Sequence, residues 1–158
     1  MEFSSETKKE VDWTVARYPR KEAAMLPVLH LAQREFGHIS CEVMELVAKT
    51  LELPVSRVQD VVTFYTMYHQ EPVGKYHIQV CHTLACAIRG AAQVVGHLES
   101  QCGVKANDGV SVDGKFSITR VECLGSCGTA PMMQVNDDYY ENLTKTQVDE
   151  LVAKWKKE

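Results

Sequence analysis

Four cysteines, Cys81, Cys86, Cys123 and Cys127, are spaced in two pairs, C-x4-C and C-x3-C. Thiolates in this pattern put two soft ligands on each of two loops. Brought together, the loops make a four-sulfur site of the kind that holds an iron–sulfur cluster or zinc. Spacing alone leaves three occupants open: a [2Fe–2S] cluster, a structural zinc ion, or a redox dithiol without metal. The plant-type C-x4-C-x2-C ferredoxin run is absent. So is the C-x-x-C of thioredoxin-like disulfide exchangers.

A cluster of two ferric irons and two sulfides on four thiolates carries about −2, and about −3 once reduced. Several neighbours are placed to offset that charge. Cys86 is expected at the start of a helix, where unpaired N–H groups favour anions. Gly125 and Gly128 bracket Cys127 and leave backbone N–H groups open to sulfur. Thr83, Ser126 and Thr129 offer hydroxyls, Arg89 and Arg120 positive charge. His82, beside Cys81, is the one histidine placed to tune such a site; His30 and His97 fit helix positions as surface or satisfied residues. Cys41 and Cys102 have no cysteine neighbour at ligand spacing and are expected as buried free thiols.

Other chemistries find no support. The chain has 158 residues and a formal net charge of −4, with no basic stripe for nucleic acid. No G-x-G-x-x-G or P-loop offers a nucleotide site. No Ser/His/Asp or paired-carboxylate arrangement stands out for hydrolysis. No apolar run approaches the roughly 20 residues of a membrane helix, and the polar start lacks a signal core. These features predict a reducing, cytoplasm-like compartment, where cysteines serve as ligands or buried thiols rather than disulfides.

The elements that must position the cysteines fall into two halves, residues 1–71 and 72–158. Residues up to about Gln70 predict a helical bundle. A first helix over Ser5–Tyr18 would turn Val11, Val15 and Tyr18 inward. A second, over Lys21–Phe36, buries Met25, Leu29, Ala32 and Phe36 and stops at Gly37, with Pro27 forcing a kink or a late start. Ser40 caps a third, with Val43, Met44, Val47 and Leu51 inward. After Pro54, Ser56-Arg-Val-Gln59 reads as a capping box for a fourth, with Val58, Val61, Val62 and Tyr65 inward. The aromatic run Phe64-Tyr65-Thr66-Met67-Tyr68 is expected to pack the two halves together, with a partner surface as its functional alternative.

Glu71-Pro72-Val73-Gly74 marks the boundary. Beyond it Tyr76, Ile78 and Val80 alternate with His77 and Gln79, predicting a half-buried strand ending at Cys81. A helix from near Cys86 to Gln101 follows, its buried stripe comprising Ile88, Ala91, Ala92, Val95, Leu98 and Cys102. Asp113-Gly114 predicts a hairpin between Val110–Val112 and Phe116–Ile118. A second hairpin is expected around Asn136-Asp137-Asp138, and Thr144-Lys-Thr-Gln147 caps a last helix. The order is β-α-β-β-β-α, with each cysteine pair just past a strand end, where α/β folds gather functional groups.

Four segments then carry a resemblance: Ala24-Met-Leu-Pro-Val-Leu-His-Leu-Ala-Gln33, Val62-Thr-Phe-Tyr-Thr-Met-Tyr68, Gly74-Lys-Tyr-His-Ile-Gln-Val-Cys81 and above all Cys123-Leu-Gly-Ser-Cys-Gly-Thr-Ala-Pro131. Over nearly its whole length the chain resembles the thioredoxin-like [2Fe–2S] ferredoxin family, whose members include the [2Fe–2S] subunit in the peripheral arm of respiratory complex I, an NADH:quinone oxidoreductase. The resemblance implies an α+β chain: an N-terminal helical bundle followed by a thioredoxin-like α/β domain. It implies one [2Fe–2S] cluster on Cys81, Cys86, Cys123 and Cys127. It also implies a partner subunit that binds FMN and NADH, the remainder of the peripheral arm around it, and a place at the inner membrane held only through the complex. The same module occurs in NAD-linked hydrogenases and formate dehydrogenases.

Overall fold

The computed structural model describes residues 1–158, in two compact units, Met1–Pro72 and Val73–Glu158. The first is helical. Helix α1 (Ser5–Ala16) starts where the Ser4 hydroxyl accepts the Thr7 N–H, and it buries Val11. Tyr18, expected inward, lies beyond its end and is exposed. The helix expected from Lys21 begins late: residues Lys21–Ala24 form a 3-10 turn, and α2 runs Met25–Phe36. Pro27 is its third residue, where a missing N–H costs nothing because first-turn N–H groups have no intrahelical partner. Gly37, at φ +81°, closes α2 by donating to the Gln33 carbonyl at 2.8 Å. Helix α3 (Cys41–Leu51) is capped by Ser40 as expected. Helix α4 (Val55–Phe64) starts directly after Pro54, so Ser56 lies inside it and its capping box does not form.

These helices enclose a core built on Leu29, Val43, Val47, Leu51, Val58 and Val62. Tyr68 completes it, its hydroxyl donating to the Leu26 carbonyl at 2.9 Å. Phe64 is 76% exposed, and Tyr65 is also exposed. Cys41 is exposed as well, not the buried thiol the sequence suggested.

The second unit is a mixed four-stranded sheet in the order β2-β1-β3-β4. Strand β1 (Tyr76–Cys81) runs parallel to β2 (Phe116–Val121) and antiparallel to β3 (Met133–Val135), which pairs with β4 (Asp138–Tyr140). Helices α5 (Leu84–Ile88) and α6 (Ala91–Cys102) make the crossover between the parallel strands, and α7 (Lys145–Lys157) follows the hairpin. Ile78, Val80, Leu98, Phe116, Ile118 and Trp155 form the core. The Tyr76 ring stacks between Phe116 and Trp155, with centroids 5.8 and 5.2 Å away.

Three details differ from expectation. Strand β1 is buried at five of its six positions, not half-buried; His77, on the face opposite Ile78 and Val80, is enclosed with its Nδ1 2.8 Å from the Ser117 hydroxyl. The single helix expected from Cys86 is broken at Gly90, whose φ of +100° only glycine adopts readily. The break turns Ile88 out to solvent, exposes Ala92 and brings in Val94. The Val110–Val112 strand shrinks to one bridge, Val110 to Ser117, although the Asp113-Gly114 turn forms, with Gly114 N–H donating to the Ser111 carbonyl at 2.8 Å. The Thr144–Gln147 capping box forms as expected and starts α7.

Candidate metal centre

Strands β1 and β2 end side by side, with Cys81 opposite Val121. Parallel pairing therefore delivers two loops to one end of the sheet. One carries Cys81 to Cys86; the other carries Cys123 and Cys127 and returns through Ala130 to β3. Cys81 is the last residue of β1, and Cys86 lies within the short α5. Both are buried, together with Ala91, Ala130 and Met132, in a small apolar cluster separate from the main core. Cys123 and Cys127 are exposed.

The loops are joined by direct bonds. The Cys81 thiol donates to the Glu122 carbonyl at 3.4 Å. The Thr83 hydroxyl donates to the same carbonyl and lies 3.4 Å from the Cys81 sulfur. Arg89 Nε donates to the Ala130 carbonyl at 2.6 Å, tying α5 to the far end of the second loop. Cys81 N–H donates to the Met132 carbonyl at 3.3 Å. The two loops thus converge closely enough for Cys127 to act electrostatically on Cys86. Cys123 belongs to the same loop, next to Glu122.

The environment treats the two buried thiols differently. Burial pushes the Cys81 thiol up. The Thr83 hydroxyl, the N–H groups of Leu124 and Thr83 and the Cys86 thiol all favour the anion, and together leave Cys81 below its ordinary value. Cys86 is pushed up, first by burial and then by donating its proton to Cys81; the Met132 N–H works against this. Cys81 is thus the first of the pair to become a thiolate, the form that binds metal.

Several expected neighbours do other work. Ser126 and Thr129, whose hydroxyl oxygens lie 2.7 Å apart, both donate to Glu141, so their hydroxyls do not serve sulfur. Arg89 is engaged at Ala130, while Arg120 and His82 are exposed. Helix α5 has only five residues, too few for the macrodipole expected at Cys86. Apart from the Thr83 hydroxyl, the groups that reach sulfur, the Glu122 carbonyl and the N–H groups of Leu124 and Met132, belong to the backbone. No residue type advertises them in a sequence. Gly125, at φ +79°, supplies the left-handed turn between the second pair, and the space where a side chain would stand at Gly125 and Gly128 is open.

A parallel β-α-β unit extended by an antiparallel hairpin, with cysteine loops at the ends of its parallel strands, defines a thioredoxin-like domain built for sulfur chemistry. The chain belongs to the thioredoxin-like [2Fe–2S] ferredoxin family, whose model matches residues 11–156. It is 38% identical over 149 residues to the second E-type subunit of the NADH-quinone oxidoreductase of Rhizobium meliloti (strain 1021), covering 94% of this chain and 88% of that protein. It is 42% identical over 146 residues to the E-type subunit of the same kind of oxidoreductase in Rickettsia prowazekii (strain Madrid E), covering 89% and 81%. Its fold is similar to part of an NAD+-reducing [NiFe]-hydrogenase in the H2-reduced state, with a TM-score of 0.75 at 19% identity. That match covers 85% of this chain but spans only 22% of the hydrogenase chain.

The residues present suit the cluster that the family implies. The donors are four thiols, the ligand type such clusters take. Two are buried and two lie on an exposed loop whose Gly125 and Gly128 border open space. No three His, Cys, Asp or Glu side chains gather round one point fit for a single metal ion. A two-iron group differs in spreading its four thiolates over two centres.

Proposed function

We propose that this chain is the [2Fe–2S] electron-transfer subunit of an NADH:quinone oxidoreductase, with Cys81, Cys86, Cys123 and Cys127 as the cluster's ligands. The observation that carries it is the meeting of two cysteine loops at one sheet end in a chain 38% and 42% identical to subunits of that complex. When bound, a [2Fe–2S] cluster supplies a one-electron redox couple. The chain's own groups do the rest. Cys81 and Cys86 each give up a proton to ligate, Cys81 first. Ala91, Ala130 and Met132 keep water from that side. The N–H groups of Leu124 and Met132 stabilise negative sulfur.

In this reading residues 72–158 hold the cluster, and residues 1–71 form a helical domain of the same subunit. NADH and FMN are bound by a partner subunit, with which this chain exchanges single electrons. Leu84 and Ile88, each 77% exposed on either side of Cys86, give that partner an apolar contact. No helix is long and apolar enough to cross a membrane, in keeping with attachment to the membrane through the complex alone. The likeness to an NAD+-reducing hydrogenase rests on fold at 19% identity, so the higher identities favour the quinone-reducing complex.

Anaerobically purified protein tests the assignment. About two irons and two acid-labile sulfides per chain are expected, with visible absorption that bleaches on dithionite and an S = ½ EPR signal of about one spin. Serine at any of the four positions should lose or remake that spectrum. Colourless protein with one zinc and no sulfide refutes the cluster, and unchanged spectra in all four variants refute the ligand set.

A further inference from the structure

Thr83 occupies the N-cap of α5, where a threonine hydroxyl ordinarily accepts an N–H from the helix's first turn. It makes no such bond. Its hydroxyl instead points across to the second loop, donating to the Glu122 carbonyl while its oxygen lies 3.4 Å from the Cys81 sulfur. Three groups thus contend for two protons: Cys81 Sγ and Thr83 Oγ1 each carry one, and both can give it to Glu122 O. Ligation removes the thiol proton. The Thr83 hydroxyl is then the one side-chain donor left in the group, with the carbonyl and a negatively charged sulfur as its two acceptors.

We propose that Thr83 is a positioning residue for electron transfer: its hydroxyl bonds the Cys81 sulfur and strengthens that bond when the site gains an electron. This role rests on the cluster assignment above. The electron comes from an external one-electron donor, dithionite in the test below. No covalent bond forms or breaks in the Thr83 step, and no proton leaves the protein. The hydroxyl turns from the Glu122 carbonyl toward sulfur as the charge there rises. A donor that bonds the reduced state more strongly raises the reduction potential. The link to Glu122 also places Thr83 between the two loops, so the backbone beside Cys123 senses the same event.

Redox titration of the full-length, cluster-loaded protein, followed by EPR, tests this with Thr83→Val and Thr83→Ser. Valine keeps the shape and removes the hydroxyl; serine keeps the hydroxyl. The valine variant should show an unchanged spin count and a lower potential. The expected size is about tenfold in the reduced-to-oxidised ratio, or about 59 mV for one electron. The serine variant should match the wild-type protein. If valine prevents cluster loading, the Ser/Ala pair, both smaller than threonine, carries the same comparison. A loaded hydroxyl-free variant with the wild-type potential overturns the role of Thr83 while leaving the cluster assignment standing. Wild-type protein without iron and acid-labile sulfide, seen before any mutation is made, overturns both.

Discussion

Gly74→Ala should destabilise the sheet unit by about 2 kcal/mol. Gly74 precedes β1, and its N–H donates to the Ser117 hydroxyl at 3.1 Å. A methyl group there would sit 2.5 Å from the Phe116 carbonyl carbon and 2.8 Å from its Cα and N. Those atoms belong to the β2 backbone at its buried start, so no side-chain rotation relieves the clash. Reaching ordinary contact requires β2 or the Gly74 segment to retreat by about 0.9 Å, as the shortest approach is 2.5 Å against an ordinary 3.4 Å. Overpacking of this kind costs about 1–3 kcal/mol. The displaced N–H to Ser117 adds about 1 kcal/mol. Against this, alanine lowers the entropy of the unfolded chain, worth about 0.4–1 kcal/mol. Gly74 has no positive φ to add strain of its own, so sterics decide the sign. Denaturant unfolding in a Trp13→Phe background would isolate Trp155 as the fluorescent reporter of this unit, since Trp13 and Trp155 are the chain's two tryptophans. A midpoint equal to or above that of the background protein would refute the steric argument.

Three further outcomes are expected. Burial pushes the Cys102 thiol up to about 11 from an ordinary value near 9. Between those values the folded chain holds a proton that the unfolded chain has lost, so this contribution is complete below pH 9 and fades as pH rises toward 11; thermal melts should show Cys102→Ala with a shallower decline across that window, and an identical decline in both proteins counts against it. Thr144→Ala removes the capping box of α7 and should cost about 1 kcal/mol in denaturant unfolding. Leu84→Glu with Ile88→Glu should weaken association with the proposed flavin-binding partner at least roughly tenfold, measured by co-purification or titration, while leaving the visible spectrum of the isolated chain unchanged, because both side chains are solvent-facing.

What the sequence disclosed, and what it hid, follows the range of the forces involved. Ser40, Thr144, Gly37 and the Asp113-Gly114 turn act within a few residues, so their roles were legible. The start of α4 was not, because Pro54 and Ser56 are both good start signals close together, and the fixed geometry of proline prevailed. Gly90 sits in an apolar stripe that reads as one helix; only its left-handed backbone reveals two. The enclosure of His77 goes with its pairing to Ser117, 40 residues on, a fact of topology. At the candidate metal centre the four cysteines stood out by type and spacing. Their backbone partners did not: Glu122 lies 39 residues beyond Thr83, and it is a carbonyl rather than a side chain that the hydroxyl meets. Ser126 and Thr129 looked equally suited to sulfur but lie within reach of Glu141, a carboxylate and the stronger acceptor.

On the ligand set proposed above, the unequal shelter of the two cysteine pairs implies an order of assembly. A source of iron and sulfide arriving from solution would meet the exposed Cys123 and Cys127 before Cys81 and Cys86 in their apolar niche. The outer pair would then be the landing stage and the inner pair the lock. In the metal-free chain Cys123 and Cys127 join Cys41 as the thiols open to peroxide or an alkylating agent.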